Sequence, residues 1–410
     1  MYATFSVRRI DRRGLICNFG FSGKRKCAMK LIIVIPDGMC DIRYEELGGR
    51  SPAEAAETPG MDEMLMNGAV GLAKTMHAGL PLGSLVGIMG ILGYHPPEYV
   101  PRGRSIFEAY TLGIQMEPND LITRCNIVRV NSKDILEDFT AGQINEADAA
   151  AYLQSVDIPD PFDLQHDLSY RNVLIYRNCP LDESLLELYE PHENMGGSIH
   201  EIMPKYQGSA YQPFVEMILN SRKNDLMLWP WGAGRIRSFP PMKYRSLTIT
   251  ALSFLYGMAT LLGGKAVIPK GATGYRGSNL RGKLDAALES LDHLDVCLIH
   301  CNAPDEEAHV HNVRGKVESI EQIDAQIISP LMKHLKTYDK PSRIVVLPDH
   351  YTVCASGKHL PDLVPYITYG SGIESNHGLV KYSEQEIVKL RPPILESHKL
   401  IETHLGLNAD

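Results

Sequence analysis

Residues 30–38 read KLIIVIPDG, and this stretch decides the fold. Its first seven residues are a continuous apolar, β-branched run, which is typical of a strand buried on both faces of a parallel sheet. The runs VCLIH (296–300) and RIVVL (343–347) repeat the pattern, and residues 317–335 between them have the period of a helix. Strands that alternate with helices predict an α/β protein with functional residues at the carboxyl edge of its sheet.

The middle of the chain has a different pattern. Residues 118–222 contain short strand-like pieces, a helix predicted over Glu146–Val156 and proline-rich joints, so we predict an inserted α+β domain there. The core is expected to comprise residues 29–117 and 223–410. It is predicted to resume through LMLWPWGAGR, residues 226–235.

The composition is typical of a globular cytoplasmic protein, since 44% of its 410 residues are hydrophobic and 22% are charged. A net charge of −8 without a basic stripe argues against nucleic-acid binding. No apolar run has the roughly 18 residues of a membrane helix. Eight cysteines without disulfide-like spacing indicate a reducing compartment. Residues 1–28 are strongly basic and are predicted to be an N-terminal extension outside the fold.

Acids and histidines follow the ends of the predicted strands. They are Asp37, Asp305, His309, Asp349, His350 and His359. Asp305 and His309 are four residues apart and would share one face of a helical turn. Each residue alone is more often a helix cap, a turn former or a solvated group. Because all follow strands of one predicted sheet, we expect them to converge. Mixed oxygen and nitrogen ligands suit divalent ions such as Mn²⁺ or Zn²⁺.

A candidate nucleophile is Ser84 in the segment Leu82-Gly83-Ser84. A free serine hydroxyl is a poor nucleophile, but coordination to a divalent cation lowers its pKa and orients it. A glycine directly before it allows close approach of a substrate. A Gly-Ser pair alone is most often only a turn, so the assignment depends on the acids and histidines nearby.

With these residues assembled, the chain resembles the cofactor-independent phosphoglycerate mutases of the archaeal type, a branch of the alkaline phosphatase superfamily. The similarity extends from Met29 to about Leu405. Ordered segments carry it, among them IPDGMCD, PLGSLVGIMGILGYHP, RGRSIFEAYTLGI, APDEEAH and VLPDHYTV. The resemblance implies an alkaline phosphatase-like core sheet with helices on both faces and an inserted α+β cap domain.

The resemblance also implies two divalent metal ions and no 2,3-bisphosphoglycerate. Mn²⁺ is favoured, with Zn²⁺, Co²⁺ or Mg²⁺ as alternatives. One ion would be bound by Asp305, His309 and His359, and the other by Asp37, Ser84, Asp349 and His350. Ser84 would become a transient phosphoserine. The implied substrate-binding residues are Arg104, Arg124, Arg171 and Lys283, and a guanidinium can bind a carboxylate or phosphate through two hydrogen bonds.

The expected function is therefore the interconversion of 3-phosphoglycerate and 2-phosphoglycerate, with a small phosphorylated metabolite as partner. Two alternatives stay open. Leu85 and Ile88 occupy positions where the family usually carries polar residues. EDFTAG, EPHENMGG and LWPWGAGR resemble a bacterial subgroup described as proposed homoserine kinases. The chain could thus be a phosphotransferase for another hydroxy compound such as homoserine, or a catalytically impaired metal-binding relative. The sequence does not indicate an oligomeric state.

Overall fold

The computed structural model describes residues 29–205 and 211–407. The chain divides into two units. One contains the described residues up to Val100 and from Phe239 onward, and the other contains Pro101–Ser238. The predicted N-terminal extension, residues 1–28, lies outside the described residues.

The described residues form strands and helices in alternation. The strands are β1 (Lys30–Pro36), β2 (Ala69–Lys74), β3 (Leu121–Val130), β4 (Leu136–Asp138), β5 (Phe162–Leu168), β6 (Arg171–Tyr176), β7 (Leu226–Gly234), β8 (Ser246–Ile249), β9 (Lys265–Val267), β10 (Val296–Cys301), β11 (Ser342–Val346), β12 (Tyr351–Val353), β13 (Lys358–Leu360), β14 (Val364–Gly370) and β15 (Ile394–Glu396). The helices are α1 (Pro52–Ala55), α2 (Pro59–Asn67), α3 (Ser84–Ile91), α4 (Pro96–Tyr99), α5 (Ser105–Thr111), α6 (Glu146–Ser155), α7 (Ile199–Ile202), α8 (Gln212–Asn220), α9 (Ser253–Leu261), α10 (Leu280–Ser290), α11 (Ala303–His309), α12 (Val313–Ile323), α13 (Ser329–Leu335), α14 (Glu384–Lys389) and α15 (Leu400–His404). No helix in the described ranges is long and apolar enough to cross a membrane.

The sheet of the first unit has the strand order β15-β2-β14-β11-β1-β10-β8-β9. β1 lies between β10 and β11 and is parallel to both. The three strands predicted from the apolar runs are therefore neighbours. Because they are parallel, their carboxyl ends lie at one edge of the sheet, where the loops that carry the predicted acids and histidines begin.

Both faces of β1 are covered. Ile32 and Val34 belong to a core cluster that includes side chains from α1, α2, α10, α12 and α13. Leu31, Ile33 and Ile35 point to the opposite face and are also fully buried. Each such side chain contributes about 1.5–3 kcal/mol of hydrophobic stabilisation. The α/β class is confirmed.

The helix predicted over residues 317–335 is present as α12 and α13, joined by a π-helical turn at Asp324–Ile328. Pro330 lies in the first turn of α13 and lacks a backbone N–H. A wider turn before it is one way in which a continuous helix accommodates that missing donor.

The second unit has a sheet in the order β4-β3-β6-β5, and β7 pairs antiparallel with β3. The prediction that LMLWPWGAGR returns to the core was wrong, because this run forms β7. Leu228 and Trp229 are fully buried in the core of the second unit. An apolar strand buried on both faces has the same periodicity in either sheet, so the pattern could not assign it.

The second unit is also wider than the predicted insertion of residues 118–222. It includes α5, whose Ser105 Oγ donates to the carbonyl of Ile122 on β3 at 2.8 Å. β7 extends the unit at its other end to Ser238. The predicted boundaries missed these elements, because they are joined to the insertion by tertiary contacts and not by a change in composition.

Candidate metal centre

The predicted acids lie just after the carboxyl ends of β1, β10 and β11. Asp37 directly follows β1, and its N–H donates to the carbonyl of Cys301 at the end of β10 at 3.0 Å. Asp305 lies in the first turn of α11, which follows β10. Asp349 and His350 follow β11. The parallel arrangement of the three strands therefore explains why residues far apart in sequence lie at one site.

Asp305, His309 and His359 form the first ligand group, with ligand atoms that all lie within 4.8 Å of one another. His309 Nε2 is 3.2 Å from Asp305 Oδ2, and the Nε2 atoms of the two histidines are 3.2 Å apart. The Nδ1 atoms of His309 and His359 contact the carbonyls of Gly357 and Leu82 at 2.8 and 3.1 Å. A carbonyl oxygen can only accept a hydrogen bond, so Nδ1 of each ring carries the proton in these contacts. Nε2 is then the ring atom left for an ion.

Asp37, Asp305 and His350 form a second group with the same spacing. Ser84 lies beside it, since its Oγ is 3.2 Å from His350 Nε2 and 3.3 Å from Asp37 Oδ2. Asp305 belongs to both groups. The sequence-based division gave Asp305 to one ion only, whereas the structure places its carboxylate within reach of both ligand sets.

The donor chemistry fits divalent cations. Asp349 Oδ1 accepts the Gly38 N–H at 3.2 Å, whereas its buried Oδ2 has no hydrogen-bond partner within the described ranges. Burial raises the pKa of Asp37 well above its ordinary value, and the negative charges of Asp349 and Asp305 raise it further. Buried carboxylates that repel one another are costly without a cation between them.

The nucleophile candidate begins α3. Gly83 before it has a φ of +136°, and a Cβ at this position would lie 3.2 Å from the His359 ring. The positive φ favours glycine, and a side chain here would also crowd the His359 ring. Ile88, one of the apolar substitutions noted in the sequence, is fully buried, whereas Leu85 is half-buried. At Ile88 the apolar residue thus packs in the core.

His300 was not among the site residues predicted from the sequence. Its Nε2 lies 2.8 Å from Asp37 Oδ2, and both side chains are fully buried. Burial lowers the pKa of His300 to about 3, so the ring is neutral and donates Nε2–H to the carboxylate. A histidine near the end of an otherwise apolar strand, at the edge that carries the site, was the signal that could have identified it.

Lys283 lies on α10 and contacts the backbone of β10. It is fully buried, and its Nζ donates to the carbonyl of His300 at 2.6 Å. Burial lowers the pKa of this amine. Its Nζ thus supports the backbone of β10, and its predicted contact with substrate stays a prediction.

The three predicted arginines lie in the second unit and near one another. The Arg124 side chain is 13% exposed, its Nε is 3.1 Å from Glu108 Oε2, and its guanidinium lies 4.0 Å from the ring centroid of Trp231. Burial and the positive charges of Arg104 and Arg171 lower the pKa of Arg124 to about 10. Arg104 Nε is 3.4 Å from the other oxygen of Glu108. The unit therefore concentrates positive charge around one acid.

Comparison with known proteins places the chain in a family. A family model described as 2,3-bisphosphoglycerate-independent phosphoglycerate mutase matches residues 66–224. The enzyme of that name from Methanosarcina barkeri is 32% identical over 395 residues, which cover 91% of this chain and 98% of the relative. A probable enzyme of the same name from Geobacter sulfurreducens is 30% identical over 402 residues, covering 92% of this chain and all (100%) of the relative.

Two solved structures share the fold. The PH0037 protein from Pyrococcus horikoshii has a TM-score of 0.73 at 22% identity, covering 93% of this chain and 98% of its own. The cofactor-independent phosphoglycerate mutase from Thermoplasma acidophilum has a TM-score of 0.59 at 20% identity, covering 93% of this chain and 100% of its own. The fold implied by the resemblance is confirmed. From its identity to relatives over nearly their whole length, the chain belongs to the family of 2,3-bisphosphoglycerate-independent phosphoglycerate mutases, which are metal-dependent enzymes.

Proposed function

We propose that this enzyme interconverts 3-phosphoglycerate and 2-phosphoglycerate through a phosphoserine at Ser84, at a site for two divalent ions. The observation that carries the proposal is the position of Ser84, whose Oγ is 3.2 Å from His350 Nε2 and 3.3 Å from Asp37 Oδ2. A serine hydroxyl among predicted metal ligands is the arrangement that phosphoryl transfer through a covalent intermediate requires. The proposed substrate is taken from the names of the relatives, which are phosphoglycerate mutases.

Two groups of side chains would hold the ions. These are Asp305, His309 and His359 on one side, and Asp37, Ser84, Asp349 and His350 on the other, with Asp305 within reach of both. Such ions, when bound, lower the pKa of a nearby hydroxyl and neutralise the oxygens of a transferring phosphoryl group. Mn²⁺ is the proposed ion, with Zn²⁺, Co²⁺ and Mg²⁺ as alternatives for the same donors.

The chain's own residues account for the transfer. Ser84 Oγ forms a bond to phosphorus, its proton leaves, and the bond from phosphorus to one glycerate oxygen breaks as that oxygen is protonated. The glycerate then turns, and its other hydroxyl oxygen forms a bond to phosphorus and loses its proton. The bond from phosphorus to Ser84 Oγ breaks in this step, and Oγ takes up a proton, which restores the Ser84 hydroxyl. No 2,3-bisphosphoglycerate is needed, because the serine itself stores the phosphoryl group between the two steps.

The substrate's remaining negative charge needs cationic partners. We assign these to Arg104, Arg124 and Arg171, whose charges influence one another in the second unit. A planar guanidinium binds a carboxylate through two parallel hydrogen bonds. The proposed partner is thus a small phosphorylated metabolite and not a nucleic acid or a membrane. We also propose a cytoplasmic location, where such metabolites occur.

An assay with three substrates tests the function. The purified, Mn²⁺-loaded chain is given 3-phosphoglycerate without 2,3-bisphosphoglycerate, homoserine with ATP, or p-nitrophenyl phosphate. We expect 2-phosphoglycerate to form far faster than inorganic phosphate. Phosphorylation of homoserine alone would establish the kinase alternative. Metal binding without turnover of any substrate would establish the impaired relative.

Replacement of Arg124 by alanine should weaken the transition state by about 2–5 kcal/mol, because a buried anion would lose its charged partner. We therefore expect a large fall in kcat/KM for 3-phosphoglycerate. Hydrolysis relative to transfer should rise, since a loosely bound glycerate exposes the phosphoserine to water. Steady-state kinetics with measurement of both 2-phosphoglycerate and phosphate would determine the two effects.

Arg129→Ala is the matched control, because Arg129 lies on the same strand and pairs with Asp225, with side chains 40% and 45% exposed. An exposed pair of this kind is worth about 0–1 kcal/mol, so the control should leave kcat/KM nearly unchanged. If kcat/KM and the ratio of hydrolysis to transfer are as little changed in Arg124→Ala as in the control, Arg124 is only the structural partner of Glu108.

A further inference from the structure

A single hydroxyl joins the two ligand groups. Thr352 lies on β12 and is fully buried. Its Oγ1 donates to Asp305 Oδ1 at 2.6 Å and is 3.0 Å from Nδ1 of His350. Asp305 belongs to both groups, and His350 belongs to the second. Thr352 therefore contacts residues of both ligand groups through this one hydroxyl.

The number of protons on these groups fixes the direction of each hydrogen bond. A threonine hydroxyl carries one proton, and an ionised carboxylate can only accept. The proton of Thr352 thus goes to Asp305, and the oxygen accepts from Nδ1–H of His350. A neutral imidazole carries only one N–H, so Nε2 of His350 keeps its lone pair. That nitrogen lies 3.2 Å from Ser84 Oγ, 3.3 Å from Asp37 Oδ1 and 3.4 Å from Asp349 Oδ2, all of them predicted ligands.

We propose that Thr352 is a positioning residue, which selects the His350 tautomer with a free Nε2 and orients the Asp305 carboxylate that lies in both ligand groups. The inference rests on the proposed dinuclear site. Residues that hold a ligand's second atom determine its tautomer and orientation and raise metal affinity. Thr352 would thus couple the two ion sites through one hydrogen-bonded chain, from His350 to Thr352 to Asp305.

The backbone around Thr352 is fixed independently of the ligands. Lys316 is fully buried, and its Nζ donates to the carbonyl of Thr352 at 2.6 Å and to Asp41 Oδ2 at 2.9 Å. Asp41 lies on the segment that follows β1 and Asp37. One buried ammonium therefore ties the strand of Thr352 to the segment that carries Asp37, which limits the movement of the hydroxyl.

The space around the hydroxyl is equally restricted. Gly38 has a φ of +59°, and a Cβ there would lie 2.4 Å from Thr352 Oγ1 and 2.6 Å from Asp305 Oδ1. Real Cβ contacts are not this short, so any side chain at position 38 would push the two groups apart. The chain thus carries glycine where the backbone must pass directly beside this hydrogen bond.

The test compares Thr352→Val, which removes the hydroxyl but keeps the shape, with Thr352→Ser, which keeps the hydroxyl. The full-length chain is stripped with a chelator, and Mn²⁺ affinity and stoichiometry are measured by equilibrium dialysis. We expect Thr352→Val to bind Mn²⁺ about 10–100-fold more weakly, as is usual when a ligand loses its supporting partner. Thr352→Ser should restore most of that affinity.

Thr368→Val is the control, because Thr368 is also buried in a strand of the first unit and its Oγ1 has no partner within the described ranges. It should bind Mn²⁺ like the wild type. Thr352→Ala, which adds no bulk, repeats the comparison if the valine variant does not fold. A second readout is the ¹⁵N spectrum of histidine-labelled, metal-free protein. In it the His350 tautomer should change in Thr352→Val and not in Thr352→Ser.

The proposal is overturned if Thr352→Val binds two Mn²⁺ ions with wild-type affinity, or if Thr352→Ser is as weak as Thr352→Val. Failure of the proposed function would look different. In that case the wild type would bind its ions and show the expected dependence on Thr352, yet would not convert 3-phosphoglycerate. Measuring binding and turnover on the same preparations separates the two results.

Discussion

Ser84→Ala should reduce phosphoglycerate interconversion to background, a loss of about 10⁴–10⁶-fold, as is found when a catalytic nucleophile is removed. This corresponds to about 5–8 kcal/mol of transition-state stabilisation. The physical reason is that Ser84 supplies the attacking hydroxyl in the proposed mechanism, 3.2 Å from His350 Nε2 and 3.3 Å from Asp37 Oδ2. Coupled measurement of 2-phosphoglycerate formation would give the loss directly.

The same variant should bind divalent ions only slightly more weakly, because Asp37, Asp349 and His350 remain. Metal content measured on the assayed sample therefore separates loss of the nucleophile from loss of the site. Intact-mass measurement after rapid mixing with 3-phosphoglycerate should detect one phosphoryl group on the wild type and none on the variant. A variant that keeps most of its activity would exclude the covalent intermediate and favour direct in-line transfer.

The core sheet could be predicted because the local sequence of each central strand is enough to identify it as a buried strand. β1, β10 and β11 are short apolar runs bounded by polar residues, and this pattern requires burial on both faces. β7 carries the same signal but belongs to the other sheet. Pairing with β3 depends on contacts between segments about a hundred residues apart, and a local pattern contains no information about them.

The convergence of the predicted acids and histidines could be predicted for a similar reason. Each follows a predicted strand, and parallel strands bring their carboxyl ends together. The supporting residues His300 and Thr352 could not be predicted in this way. Each has a role only through a partner distant in sequence, Asp37 for His300 and Asp305 for Thr352. The membership of Asp305 in both ligand groups likewise depends on the folded site, because His309, His359, Asp37 and His350 approach it from different segments.

Asp305→Asn should have the widest effect on metal binding, because this carboxylate lies in both ligand groups. The amide keeps the shape of the side chain but removes its negative charge, and its NH₂ cannot bind a cation. We expect Mn²⁺ affinity to fall by more than about 100-fold, since residues that merely support a ligand already contribute about 10–100-fold. Interconversion should fall by about 10³-fold or more, because the charge that stabilises the transferring group is lost.

Glu307→Gln is the control for this variant. Glu307 lies on the same helix, α11, and its carboxylate pairs with Arg276 Nε at 2.9 Å, outside both ligand groups. It should retain both ions and nearly all activity. If Asp305→Asn also binds two ions at wild-type affinity, Asp305 is not shared and the site is not the one proposed.

Asp305→Asn should also change the pH dependence of Mn²⁺ binding. Hydrogen bonding to Asp305 raises the pKa of His309 to about 9, so in the metal-free wild type the ring is protonated at neutral pH. An ion that binds His309 must displace this proton, and Mn²⁺ affinity should therefore increase with pH until about 9. Without the carboxylate the pKa falls toward its ordinary value of about 6.5, and the increase should level off at a correspondingly lower pH. Measuring Mn²⁺ affinity from acidic to alkaline pH would show this shift to lower pH. An unchanged profile would mean that Asp305 does not determine the pKa of His309.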